Sequence, residues 1–244
     1  MNKFEITYKQ YGERSILIEW PPIIDHKVLD DVIFFKEKLE KLLLKEKVEI
    51  KTAYCSILIS YNRTIENIYD EYLMLKDIYS SRISIISKPK KLWKIPVCYD
   101  AEFALDLDKI SLKKKISKQK IIALHYKPIY TVFFIGFLPG FLYLGGLNKE
   151  LYFPRKQTPR LQIEKGAVGI GETQTGIYPN MSPGGWNIIG NCPLNFFNVS
   201  KNPPCFANAG DKIQFYPITL KQHSDIVTLV NAGVYQLESE VISG

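Results

Sequence analysis

Hydrophobic and polar positions follow two different periods in the first third of the chain. Ile16, Ile18 and Trp20 share one face of a period-two run, with Leu17 on the other, which predicts a strand. Pro21-Pro22 ends it. Val28, Val32, Phe35, Leu39 and Leu42 then recur at helical spacing with Lys and Glu between them, an amphipathic helix carrying Glu37 and Lys41 at i, i+4 on its outer side. Residues 48–52 and 56–61 read as strands. Thr64 is expected to cap a second helix, striped by Ile65, Ile68, Tyr72 and Leu75. Residues 83–86 read as a further short strand. This order predicts a ferredoxin-like α/β domain over residues 1–88 in which both helical stripes are core.

Lys88-Pro89-Lys90-Lys91 is polar and falls between periodic segments, which marks a domain boundary. Beyond it, residues 92–99 read as a strand and residues 106–126 as two short helices, the second starting near Ser117. Residues 129–135 form a continuous apolar run of a buried strand. Residues 136–190 then hold eleven of the fifteen glycines and five prolines. No ordinary helix fits between them, whereas short strands with tight turns do. The expected class is therefore α+β, with a β-barrel over residues 89–220. Residues 212–216 read as a strand, and the run at 226–230 as another strand-like segment. Residues 221–244 are expected as a C-terminal extension and are a candidate for partner binding.

Composition narrows the function. With 244 residues, 46% hydrophobic and 23% charged, the chain has apolar surface enough for folded domains, which excludes disorder as its main state. No apolar run approaches the ~18 residues that span a bilayer. The first ten residues lack the apolar core of a signal peptide. The four cysteines (Cys55, Cys98, Cys192, Cys205) show neither a CxxC nor metal spacing, so a reducing cytoplasm and no metal site are expected. The net charge of +7 invites a nucleic-acid reading. The distribution argues against it: 27 of the 32 basic residues are lysines scattered over helix faces and turns. The denser set at Lys113, Lys114, Lys115, Lys118 and Lys120 lacks interleaved aromatics for base stacking. No nucleic-acid or membrane partner is expected.

The chemistry concentrates in the glycine-rich block. Two of the five arginines, Arg155 and Arg160, fall in PRKQTPR. In a chain that otherwise uses lysine, they point either to bidentate recognition of a carboxylate or phosphate, or to structural ion pairs with Glu150, Glu164 or Glu172. The run GAVGIGETQTGIYPNMSPGGWNIIG is neither a dinucleotide fingerprint nor a Walker A loop. Its Gln174, Thr175, Tyr178, Ser182 and Trp186 offer neutral polar groups and a flat ring, suited to an amide or lactam and equally to turn bonding. Between residues 136 and 190 there is no His, Cys or Asp, which excludes a nucleophile–histidine dyad within the block. Glu172 is the carboxylate amid the glycines that is available as an acid or base.

GFLPGFLYL, PRKQTPR, GAVGIGETQTGIYP and SPGGWNIIG resemble, in order and spacing, the family that contains the B component of 5-oxoprolinase (PxpB), the KipI histidine-kinase inhibitor and the first subunit of allophanate-hydrolase-type carboxyltransferases. The likeness covers about residues 10–217. It implies an N-terminal α/β domain and a cyclophilin-like β-barrel. His125 matches a histidine before the apolar strand; Arg155, Pro159 and Arg160 match PR…PR; Gln174, Thr175 and Tyr178 match QTGxYP; Gly184, Gly185 and Trp186 match PGGW. Glu172 departs from the pattern where a small residue is usual, and Asn191 where a basic one often follows. The resemblance implies a protein that, with 5-oxoprolinase subunits C and A, opens 5-oxo-L-proline to L-glutamate at the cost of ATP bound with Mg and shared with a partner. Arg155, Arg160 and Glu172 are then the candidate catalytic residues. His125, Gln174, Thr175, Tyr178, Gly184, Gly185 and Trp186 are the candidate substrate contacts. The alternative it allows is a KipI-like inhibitor that meets a sensor histidine kinase through an apolar face near Phe137, Phe141 and Trp186.

Overall fold

The computed structural model describes residues 4–43, 48–81 and 89–242, which fall in two compact units, Met1–Lys88 and Pro89–Gly244.

The first unit runs β1 (Thr7–Gln10), β2 (Ser15–Glu19), α1 (His26–Leu42), β3 (Glu49–Ala53), β4 (Ser56–Ser60) and α2 (Ile68–Ser80). Its antiparallel sheet has the order β1-β2-β4-β3, so β4 lies between the two strands that α1 connects. The alternation read from sequence places Ile16, Ile18, Ile57 and Ile59 in the core with Phe35 and Leu39 of α1. Asp31 and Lys38 are among the charged side chains buried in this unit with partners. The Asp31 carboxylate accepts from Trp20 Nε1 at 2.7 Å and from the Tyr79 hydroxyl at 2.5 Å. The Lys38 ammonium donates to the carbonyls of Tyr79 and Ser81, at 3.0 and 2.7 Å, where a cation meets the negative end of α2.

Three details differ from the sequence reading. Asn67, not Thr64, caps α2 through Tyr69 N–H. Leu43 rather than Leu42 closes the stripe of α1. β1, largely polar and with only Tyr8 packed on the core, is an edge strand absent from the sequence reading. The strand expected over residues 83–86, on which a full ferredoxin-like sheet depends, lies outside the described residues.

The second unit begins with β5 (Lys90–Cys98), α3 (Leu107–Lys114), α4 (Lys118–Tyr126), β6 (Ile129–Ile135) and β7 (Leu142–Gly145). β8 (Arg160–Ile163), β9 (Ala167–Gly171), β10 (Gln174–Ile177), β11 (Ser182–Gly184) and β12 (Asn187–Asn191) follow, then β13 (Lys212–Ile218), α5 (Leu220–Asn231) and β14 (Ser239–Ile242). Seven strands close a barrel in the order β12-β9-β10-β7-β6-β13-β5, with Asn191 of β12 pairing Cys98 of β5 to complete the ring. β5 and β13 pair in parallel and the other neighbours are antiparallel. The interior is filled by side chains such as Ile95, Val132, Leu144, Val168, Ile170 and Phe215.

The stretch from residue 221 onward is built into this unit. The strand-like run at 226–230 is helical and belongs to α5. Thr219 and Gln222 form a capping box at its start, a local signal that outweighs a short apolar run. β14 then pairs with residues 90–93 of β5, covering the part of that strand which β12 does not reach.

Candidate functional site

Side chains of successive strand residues point to opposite faces, and in β9 and β10 this separates the sequence-predicted site into two places. Thr175 points into the barrel and Gly176 points out. Inside, His125 at the end of α4 is fully buried, with its ring stacked 4.8 Å from that of Phe215. Its Nδ1 lies 2.7 Å from the Tyr99 hydroxyl and its Nε2 lies 2.8 Å from Thr175 Oγ1. The Thr175 hydroxyl donates to the carbonyl of Gly169 at 2.9 Å, so it accepts from His125 and assigns the ring proton to Nε2. Burial pushes the His125 pKa down to about 3. His125 and Thr175 thus form a neutral interior chain from Tyr99 to Gly169, and neither reaches the outer face of the barrel.

Outside, an aromatic layer lies on the wall of β7, β9, β10 and β12. Phe141, Tyr178 and Trp186 are buried in it, with Tyr143 packed alongside. The Trp186 ring rests on glycines. A Cβ at Gly171 would come within 2.5 Å of its Cε2 and Nε1, and one at Gly176 within 3.0 Å of its Cζ3. Glycine is needed here for close approach of a flat ring to the backbone. Phe141 and Tyr143 meet the ring edge to face, at centroid distances of 5.5 and 5.7 Å. Burial pushes the Tyr178 pKa up to about 12, against a lowering hydrogen bond from the Trp186 backbone and the charges of Arg155 and Arg160. Gly184 packs on Tyr178: a Cβ there would lie 2.4 Å from the hydroxyl. Gln174 shares its strand face with Gly176 and is largely buried.

The two arginines of PRKQTPR have different roles. Arg160 forms a fork on the Asp106 carboxylate, Nη1 to Oδ2 at 2.7 Å and Nη2 to Oδ1 at 2.9 Å. Asp106, just before α3, also accepts from Lys156 Nζ at 2.9 Å and from Ile188 N–H at 2.7 Å. Burial pushes the Asp106 carboxyl up, but the bonds from Arg160, Lys156 and Ile188 outweigh it and leave the group below its ordinary value. Both terminal nitrogens of Arg160 are therefore committed to Asp106. This corrects its expected place beside Arg155 in one cleft, and its partner is none of the three glutamates weighed from sequence.

Arg155 is held by its backbone and left open at its side chain. Phe153 exchanges both main-chain bonds with Glu172, at 3.0 and 2.7 Å. The Pro154 carbonyl accepts from Asn187 Nδ2 at 2.9 Å, and Lys156 N–H donates to the Gly185 carbonyl at 2.7 Å. The half-exposed guanidinium lies over the Trp186 ring, 5.8 Å from its centroid, with Nε 3.7 Å from Glu172 Oε1. Glu172 and Thr173 form the tip between β9 and β10, with Glu172 at φ +57°. Gly185 lies beside Arg155 with no atom closer than 3.6 Å to an added Cβ.

The outer face thus brings together Arg155, Glu172, Gln174, Tyr178, Gly184, Gly185 and Trp186. His125 and Thr175 lie within the barrel and Arg160 at the Asp106 ion pair. Two cavities of this unit lie elsewhere. One of about 540 Å³ is lined by Lys94, Tyr126, Gln214 and Glu238 among others. One of about 470 Å³ is lined by Tyr99, Asp100, Thr219 and Lys221 among others. Among the described residues no group of three or more His, Cys, Asp or Glu is placed to hold a metal ion. No helix among them is long and apolar enough to cross a membrane. Sequence reasoning missed Asp106 and Asn187, which lie outside the quoted motifs or within them without an evident role. The apolar face expected near Phe137, Phe141 and Trp186 is reduced to Phe137, because the other two are buried.

Comparison with known proteins adds to this geometry. Residues 6–207 match the family model described as carboxyltransferase domain, subdomain C and D. A protein of Bacillus subtilis named as the B component of 5-oxoprolinase is 32% identical over 225 residues, 88% of this chain and 94% of that one. Urea amidolyase of Saccharomyces cerevisiae is 24% identical over 273 residues, 97% of this chain but 14% of that protein. Among solved structures, a conserved uncharacterized protein from Pyrococcus horikoshii matches with a TM-score of 0.53 and 37% identity, over 89% of this chain and all of that one. TTHA0988 matches with a TM-score of 0.73 and 27% identity over 84% of this chain, which spans 40% of that protein.

Proposed function

We propose a function from one premise: the chain belongs to the carboxyltransferase-domain family, subdomains C and D. It acts as the B component of an ATP-dependent 5-oxoprolinase and, with subunits C and A, opens 5-oxo-L-proline to L-glutamate. The observation that carries this reading is Arg155, a guanidinium pinned through its backbone, stacked on Trp186 and open to solvent. The similarity to a protein named as a 5-oxoprolinase component, along nearly the whole of that protein, supports the substrate.

The substrate joins a flat lactam ring to a carboxylate, and the outer face offers a counterpart for each. Trp186 is buried and serves as the floor that holds Arg155 in place, and Gln174 on the same face supplies an amide to pair with that of the lactam. Arg155 meets an anion, either the carboxylate or the phosphoryl group that passes from ATP to the lactam oxygen as ADP leaves. A stable amide needs such activation before water can open it. The face carries a single carboxylate, Glu172, set against Arg155, and this donor set does not fit a Mg²⁺ site by itself. ATP and its metal are therefore assigned to groups the partner subunits bring. Tyr178 and Gly184 support Trp186 from behind, and Gly185 leaves room beside Arg155.

The test is co-expression of the chain with its two partner subunits, followed by measurement of ADP release. The expected result is ATP hydrolysis that depends on both 5-oxo-L-proline and this chain. A stable three-part complex with no 5-oxoproline-dependent hydrolysis overturns the reading.

A further inference from the structure

The ion pairs of Arg155 and Arg160 differ in kind, although only four residues separate them. Arg160 is fixed on a buried carboxylate by two short bonds. Arg155 faces Glu172 at 3.7 Å, beyond hydrogen-bond distance, and both side chains are at least half exposed. Glu172 holds this place in the left-handed region, at φ +57°, where glycine fits without a Cβ penalty. Its peptide is clamped there by the two bonds to Phe153 on the segment that carries Arg155. The hairpin tip therefore keeps a carboxylate in front of the arginine in a conformation that side chains disfavour. Such a conformation persists only where the surroundings hold it, here through the two bonds to Phe153.

We propose that Glu172 is a built-in competitor: its carboxylate occupies Arg155 in the resting chain, and an incoming anion must displace it. This rests on the reading of Arg155 as the anion contact of the site. Glu172 then sets affinity and selectivity and takes no part in proton transfer. A ligand that presents one weakly held oxygen gains little by exchanging with it. A ligand that offers two oxygens to the guanidinium, whether a carboxylate or a phosphate, gains a fork that Glu172 at 3.7 Å does not make.

The test is calorimetric titration of the full chain with inorganic phosphate and, separately, with 5-oxo-L-proline. The proteins are the unaltered chain, Glu172→Gln, Glu172→Gly, Arg155→Gln and the double variant Glu172→Gln with Arg155→Gln. Removing an exposed competing ion pair is expected to tighten phosphate binding about two- to fivefold in both Glu172 variants. The gain is expected to vanish when Arg155 is absent. Phosphate affinity that is unchanged in the Glu172 variants, a gain that survives loss of Arg155, or no phosphate binding by any of the proteins overturns the proposal. A phosphate gain without 5-oxoproline binding leaves the competition standing and counts against the substrate alone. The same gain with both ligands upholds the competition and assigns the displaced carboxylate to the substrate's own place.

Discussion

Arg160 and Asp106 face each other as fork and carboxylate, with their two bonds at 2.7 and 2.9 Å, across 54 residues of chain. Through Lys156 and Ile188, the same carboxylate ties the start of α3 to the loop before β8 and to β12. That loop carries Arg155. The segment that carries the Arg155 guanidinium is thus tied down by an ion pair in which Arg155 takes no part.

Asp106→Ala is expected to leave two cations and a buried N–H without their acceptor and to cost about 3 kcal/mol, because breaking one partner of a buried pair strands the other. Urea denaturation of the full chain measures it. The folded carboxyl lies below its ordinary value, so the stability it contributes is present above about pH 4 and is lost as pH falls through the lowered value.

His125 gives a second pH dependence, in a separate window. Its folded pKa of about 3 lies below the value of about 6.5 expected when the chain is unfolded. The unfolded chain therefore binds the proton first. Stability contributed by the neutral ring is complete above about pH 6.5 and declines as pH falls toward 3. Between pH 7.5 and 5.5 this one group is expected to lower stability by roughly 1.4 kcal/mol. His125→Gln should remove that slope, seen as a smaller shift in urea midpoint between the two pH values.

Gly171→Ala is expected to lift the Trp186 ring, since the new Cβ would lie 2.5 Å from two of its atoms. Overpacking of this kind costs about 1–3 kcal/mol. The displaced ring should show in near-ultraviolet circular dichroism. Gly185→Ala, with nothing nearer than 3.6 Å, should change stability by less than about 0.5 kcal/mol, so any loss of turnover there reports on substrate space.

Much of the fold is legible in the chain because short-range chemistry dictates it. Glycine and proline density forces short strands after residue 136, and Ser117 caps α4 where a helix start is expected. The misreadings also have physical causes. Residues 226–230 look like a strand until the capping box at Thr219 and Gln222 is recognised. The edge strand β1 turns only Tyr8 toward the core, in line with Phe4 and Ile6 before it, an alternation too short and too polar to stand out. The site is less legible than the fold. Gln174 and Thr175 adjoin in one strand and so face opposite ways, a consequence of pleating that spacing alone does reveal once the strand is placed. The pairing of Arg160 with Asp106 is different, because no local pattern marks a contact between residues so far apart.

Under the proposed function, Arg155 is the residue on which turnover depends most directly. In the assembled complex, kcat/KM for 5-oxo-L-proline should fall about a hundredfold or more in Arg155→Gln, the scale of losing one anion-stabilising donor, while the thermal midpoint of the half-exposed site stays unchanged. A complex carrying Arg155→Gln that turns over 5-oxo-L-proline as the unaltered one does would contradict it.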